Sequence, residues 1–194
     1  GTLLTDKRTI SQKNVKALEK LRQKGIITVI ATGRSMQVFD KVLTGTAGMP
    51  EKQKITDTFA SLPFDYVIFS TGAGIMDYPG RNIIFKKSLT LDDVKLITEC
   101  FDFHSLDYMV HKAIPHTNQF FYKSHGKTNP DFDTRLSIYP KDGKNLDQHC
   151  MEIQAATQGL AIASPDTHHR IVKTIKKELP DFSVIQATSP LDHK

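Results

Sequence analysis

The apolar positions change period early in the chain. In "SQKNVKALEKLRQKG" Val15, Leu18 and Leu21 recur three residues apart, which predicts a helix with one apolar face. Ser11 suits the N-cap, because its hydroxyl can accept from an unpaired amide of the first turn. Gly25 suits the left-handed position after the last turn. From Ile26 to Thr32, "IITVIAT" carries no charge and is largely β-branched. That pattern predicts a strand buried on both faces of a parallel sheet. "GRS" interrupts it, and a short helix is expected from Ser35. A polar stretch, "EKQKITDTFASLP", leads to "DYVIFS", a second buried strand over 65–70 that runs into "TGAGIMD".

The pattern then shortens. Tyr78-Pro79-Gly80 signals a turn. "NIIFKKS" reads as a strand and "TLDDVKLITECF" as a helix, with Thr90 and Asp93 in capping-box spacing and Val94, Ile97 and Phe101 on its apolar face. "DYMVH", "NQFFYK" and "GLAIAS" read as strands. Residues 124–148 are polar and rich in Pro, Gly and Asp. "SPDTHHRIVKTIKKELP" reads as a helix with Pro165 in its first turn, and "FSVIQATS" as a last strand. The fold class expected is α/β: a partial Rossmann-like core over 1–80, then an α+β domain over 81–188, with 189–194 as a return segment.

Composition narrows the picture little. Hydrophobic residues make up 39% and charged residues 24%, as in a soluble globular protein. No apolar run approaches bilayer length, so no membrane partner is expected. The two cysteines, Cys100 and Cys150, are read as buried free thiols, and the localisation expected is cytoplasmic. Net charge is +5, but the lysines are spread along helix faces without interleaved aromatics, so no nucleic-acid partner is expected.

Chemistry concentrates in three loops: "GTLLTD" at the start, "TGRS" at 32–35 and "TGAG" at 71–74. The last two follow predicted strands, at the end where open parallel sheets bind ligands. Small loops of this kind present amides and hydroxyls to an anion. Thr32 can donate a hydroxyl, Gly33 lets a ligand approach the backbone, and Arg34 adds a planar fork that matches phosphate. Among the acidic residues, Asp77 reads as a turn residue. No pair of histidines has i, i+4 metal-ligand spacing on a helix; His168 and His169 read as exposed helix residues.

The order of these motifs resembles the haloacid dehalogenase superfamily, in its Cof-type phosphatase branch with a large cap. Gly1, Thr2 and Leu3 match the end of that family's Asp-x-Asp-Gly-Thr-Leu motif. "TVIATGR" matches its second motif, with Thr32 at the phosphate-binding hydroxyl. "FDYVIFSTGAGIMD" is similar to a segment that normally reads Asn-Gly-Ala, so Thr71 stands in place of Asn, followed by Gly72 and Ala73. Residues 83–185 resemble the cap. The resemblance implies a Mg²⁺-dependent phosphatase of small phosphorylated metabolites, including sugar phosphates, that works through an aspartyl-phosphate. It also implies that the nucleophile and acid/base aspartates lie upstream of Gly1. The motifs that complete the metal site would follow the cap; Lys194 does not fit their usual setting. The chain by itself is therefore expected to be inactive, to bind no Mg²⁺ and to self-associate through exposed sheet edges. Two rival readings share these loops: a non-catalytic anion- or nucleotide-binding module, and a phosphomutase of the same superfamily.

Overall fold

The computed structural model describes residues 10–43, 63–126, 128–164 and 166–186. Gly1, Thr2, Pro165 and Lys194 lie outside the described residues, as does the return segment 189–194. The chain divides into two compact units, up to Lys87 and from Ser88.

In the first unit, α1 (Gln12–Gln23) starts where Ser11 Oγ accepts from Asn14 N at 3.2 Å. It stops at Gly25, which has φ +70°; Gly25 N donates to Arg22 O at 2.9 Å and Ile26 N to Leu21 O at 3.0 Å. Those two bonds close a Schellman motif that only a left-handed residue permits at low cost. The strands are β1 (Val29–Ala31), β2 (Tyr66–Phe69), β3 (Gly74–Asp77) and β4 (Asn82–Lys86), and they form one sheet in that order. Helix α2 (Met36–Leu43) follows β1, with Val38 N bonded to Ser35 Oγ at 3.3 Å. β1 and β2 are parallel, as expected, while β3 and β4 add antiparallel pairs. The strand at 82–86, expected to open the second domain, is thus the fourth strand of the first sheet.

β1 departs from its expected burial. Ile27 is 67% exposed and Val29 51%, and the strand alternates exposed and half-buried positions. It is an edge strand in the described sheet, and the described residues leave Ile27 and Val29 open. The expected apolar face of α1 likewise includes no buried residue. The unit's core is instead Phe64, Val67, Phe69, Met76 and Tyr78, with Phe64 and Tyr78 in edge-on contact at 5.8 Å.

The second unit is a four-stranded sheet with helices. Its elements are α3 (Leu91–Phe103), β5 (Asp107–Lys112), β6 (Phe120–Lys123), α4 (Pro130–Ile138), β7 (Gly143–Asn145), the single turn α5 (Leu146–His149), β8 (Ala156–Ile162) and α6 (His168–Glu178). The strand order is β7-β6-β5-β8. Alternate residues of β5 feed two cores. Tyr108 and Val110 pack with Val94, Ile97 and Phe101 of α3 and Ile175 of α6, while Met109 packs with Phe120 and with Phe132 of α4. The capping box of α3 is present: Thr90 Oγ1 accepts from Asp93 N at 3.2 Å and Asp93 Oδ2 accepts from Thr90 N at 2.7 Å.

Residues 124–148, whose apolar pattern announces no element, hold α4, β7 and α5. Two expectations fail here. The described part of "FSVIQATS", 182–186, forms no strand; Phe182 and Val184 pack on the core without sheet pairing. Cys150 is exposed rather than buried, because it lies in a short 3₁₀ turn, Cys150–Glu152, with no buried residue; Cys100 is half-buried. Among the described residues, no helix is long and apolar enough to cross a membrane.

Candidate phosphate-binding loop pair

β1 and β2 run parallel, so the loops that follow them emerge at the same end of the sheet. The structure joins these loops through the backbone. Thr32 N donates to Ile68 O at 2.9 Å, Ser70 N to Arg34 O at 2.9 Å, and Thr71 N reaches toward Thr32 O at 3.4 Å. Thr32, Gly33, Arg34, Thr71, Gly72 and Ala73, all predicted from sequence, therefore belong to one local structure. Ser70 was not predicted and is the residue that binds the second loop to Arg34. Its signal was its place as the last residue of the "DYVIFS" run.

The side chains suit an anion. Thr32 Oγ1 accepts from Arg34 N at 3.2 Å, which fixes the hydroxyl oxygen and leaves its proton to donate outward. Gly33 and Arg34 are exposed. A Cβ at Gly33 would lie 3.5 Å from Thr71 Oγ1, an ordinary contact, so the fold itself does not demand glycine there. Ser35 then starts α2, whose N-terminal amides sit beside the loop.

The second loop is strained. Ser70, Thr71 and Gly72 make a left-handed turn, with φ of 48°, 56° and 92°. Left-handed backbone is ordinary for glycine but costly for a β-branched threonine. Ala73 N closes the turn on Ser70 O at 3.1 Å, and Lys87 N donates to Ala73 O at 2.8 Å, which brings the end of β4 to the loop. Runs of sparsely populated backbone cluster at ligand sites.

Carboxylates are absent from this loop pair among the described residues. Asp65 lies at the opposite end of β2, where Oδ2 accepts from Thr28 N at 2.7 Å. Asp77 accepts from Gly80 N at 3.2 Å in the β3–β4 turn, as expected of a turn residue. A hard divalent cation needs several oxygen ligands, with carboxylates prominent among them. Thr32, Arg34, Ser70 and Thr71 do not supply that set, so the described loop pair does not by itself fit a Mg²⁺ site.

In the second unit His111 is half-buried and His116 exposed. His111 Nδ1 lies 3.0 Å from Thr117 O, and its ring packs on Phe120 at 5.5 Å. Burial lowers its pKa, Thr117 O opposes that shift, and the Arg135 charge adds to it. Nearby, the buried Asp107 accepts from His125 N at 2.7 Å and from Asn129 Nδ2 at 2.9 Å. Asp102 holds Lys123 Nζ at 2.9 Å and His125 Nε2 at 3.1 Å. His168 is half-buried and His169 exposed, with ring centroids 3.9 Å apart.

Comparison with known proteins agrees with these motifs. The chain matches the model of the haloacid dehalogenase-like hydrolases over residues 1–190. No curated protein matches it. Among solved structures, it resembles a haloacid dehalogenase-like hydrolase from Bacteroides thetaiotaomicron, at 13% identity and TM-score 0.64, covering 96% of this chain and 64% of that one. A phosphatase of the superfamily from the same organism aligns at 17% identity and TM-score 0.60, covering 90% and 57%. A subclass IIB sugar phosphatase aligns at 13% identity and TM-score 0.61, covering 96% and 63%. At these identities the likeness establishes the fold, and the chain spans about three-fifths of the length of these structures. With the family match over nearly all of its length, the chain belongs to the haloacid dehalogenase-like hydrolases.

Proposed function

We propose that the protein is a phosphatase of small phosphorylated metabolites, sugar phosphates among them, and that the loop pair grips the transferring phosphoryl group. The carrying observation is the backbone bonding that joins Thr32–Arg34 to Ser70–Thr71 at one end of a parallel strand pair. Thr32 would donate its hydroxyl to a phosphoryl oxygen, Arg34 would pair with the charge, and Gly33 would leave room for close approach. Phosphoryl transfer depends mainly on positioning and electrostatics, so such contacts can supply much of the rate. The family reaction implies Mg²⁺ and an aspartyl nucleophile; their ligands would come from outside the described residues. The second unit would act as the cap that selects substrate. Cytoplasmic localisation and association through the exposed edge at β1 belong to the same proposal.

Titration with inorganic phosphate, followed by amide chemical shifts, tests the grip. The amides of residues 32–34 and 70–73 should move together, and Thr32→Ala and Arg34→Ala should each weaken binding about tenfold, or ~1.4 kcal/mol. Phosphate that shifts other amides, or binds both variants as well as the wild type, would refute the assignment. Release of phosphate from a panel of sugar phosphates with Mg²⁺, by a protein that carries the expected upstream aspartates together with this chain, separates hydrolysis from binding alone. Isomerised product without phosphate release would indicate the phosphomutase reading.

A further inference from the structure

Three metal-ligating side chains meet in the second unit, where the C-terminal turns of α3 and α6 come together. Cys100 and His104 are four residues apart and share one face; Glu178 is the last residue of α6. Cys100 Sγ lies 3.4 Å from Glu178 Oε2, and His104 Nε2 lies 2.8 Å from the same oxygen. All three ligand atoms fall within 4.8 Å of one another.

The backbone holds them firmly. His104 caps α3 and donates N–H to Cys100 O at 3.3 Å, while Leu106 N donates to Phe101 O at 3.0 Å across the left-handed Ser105. Phe103 stands edge-on to the His104 ring at 5.1 Å. Ile97 and Phe101 of α3 share a core with Ile175 of α6 and Leu179 just beyond it, and Cys100 packs against that core. The helices that carry the ligands are therefore fixed relative to each other.

Electrostatics favours a cation here. The last turn of a helix carries partial negative charge, and both helices end at this point. Glu178 is kept ionised there: the hydrogen bonds from His104 and Cys100 and the Lys177 charge hold its carboxyl below the ordinary value, so the oxygen is ready as a ligand.

We propose that Cys100, His104 and Glu178 bind one borderline-soft divalent cation of the zinc class, with a fourth position open to water. The site is separate from the phosphate loops and unrelated to Mg²⁺, which avoids thiolate. Thiolate, imidazole and carboxylate are the donors of tetrahedral zinc. With metal–ligand bonds of about 2.0–2.3 Å, tetrahedral ligand atoms stand ~3.2–3.6 Å apart. The sulfur–oxygen separation already fits, and the imidazole must retreat from Glu178 by about half an ångström to exchange their hydrogen bond for two bonds to metal. Binding releases the Cys100 proton to solvent and leaves the thiolate on the ion, and the proton that His104 Nε2 donates to Glu178 shifts to Nδ1, so that the neutral ring turns its Nε2 lone pair to the metal. The ion then staples α3 to α6.

Cobalt(II) titration of the whole chain tests this. One equivalent should give tetrahedral ligand-field bands and a thiolate-to-cobalt charge-transfer band, and zinc should abolish both. Cys100→Ser should remove the charge-transfer band, and His104→Gln and Glu178→Gln should each weaken cobalt binding beyond the ~10–100-fold that loss of a supporting group costs. Cys150→Ser removes the exposed second thiol and should change nothing. Circular dichroism without metal confirms that each variant is folded, and the three ligand variants are judged independently. Absence of the charge-transfer band at one equivalent, its survival in Cys100→Ser, or its loss in Cys150→Ser would overturn the assignment.

Discussion

Thr71 offers a direct test of whether the second loop stores strain. Its φ of 56° and ψ of 32° place a β-branched residue in the left-handed helical region. There the Cβ crowds the following carbonyl at a cost of roughly 1–2 kcal/mol for an L-residue. Asparagine tolerates this region better, since its short amide can bond locally. Thr71→Asn should therefore relieve most of the strain and raise stability by about 1 kcal/mol. Thr71→Gly relieves all of it, but frees the unfolded chain by about 0.5–1 kcal/mol, so its net gain is nearer ~0.5 kcal/mol. Both substitutions also remove the Thr71 hydroxyl that faces Gly33.

Urea unfolding followed by circular dichroism reads these differences. The midpoint should rise for both variants at unchanged slope, further for Asn than for Gly. A stability gain of 1 kcal/mol corresponds to about 2–4 °C in melting temperature for a chain this long. Phosphate titration of the same variants shows what the strain is for. If the strained threonine presents its hydroxyl or the neighbouring amides to the anion, the stabilised variants bind phosphate more weakly. A loss of stability in both variants would refute the strain argument, because it would mean that the threonine side chain contributes more than its backbone costs.

Gly33→Ala should leave stability within about 0.5 kcal/mol, since the added methyl meets Thr71 Oγ1 at an ordinary 3.5 Å, yet weaken phosphate at least tenfold by blocking close approach; a titration paired with a melt checks both. Thr90→Ala removes the hydroxyl that accepts from Asp93 N and should cost ~1 kcal/mol in urea unfolding. His111 is held below its ordinary value of 6.5 by burial. As pH falls through that value the unfolded chain takes up a proton that the folded chain refuses, so stability is lost on acidification. His111→Phe should flatten this slope in melts between pH 7 and about pH 5.5.

Sequence legibility here tracks the distance over which the information acts. The caps of α1 and α3 are readable because Ser11, Gly25, Thr90 and Asp93 act within a few residues of themselves. α4 is hidden, although Asn129 caps it and Pro130 opens it. It places only Phe132 fully in the core, so no apolar period announces it. β7 is Gly-Lys-Asn, which has no strand pattern; parallel pairing with β6 creates it. The error at β1 runs the other way. Its apolar run gives a strand correctly, but burial depends on what packs above the sheet, and the described residues leave Ile27 and Val29 open.

The two sites differ in the same respect. Each half of the phosphate loop pair carries its own signal, a buried strand that breaks into a small, hydroxyl-bearing turn, and the parallel order of β1 and β2 brings the halves together. Either loop therefore stands out by itself. The Cys100, His104 and Glu178 cluster has no such property. Cys100 and His104 stand at ligand spacing, but that pair is weak without a third donor, and Glu178 lies 74 residues beyond His104. Only the packing of α3 and α6 through one core brings its carboxylate to the pair. Histidine-to-histidine spacing does not reveal the cluster, because its donors are mixed and one is a cysteine that composition marks as an inert thiol. The local signal that the chain does carry is a cysteine and a histidine at i, i+4 near a helix C-terminus, where the helix end itself attracts cations. That signal nominates residues 100 and 104, and the fold supplies the third ligand.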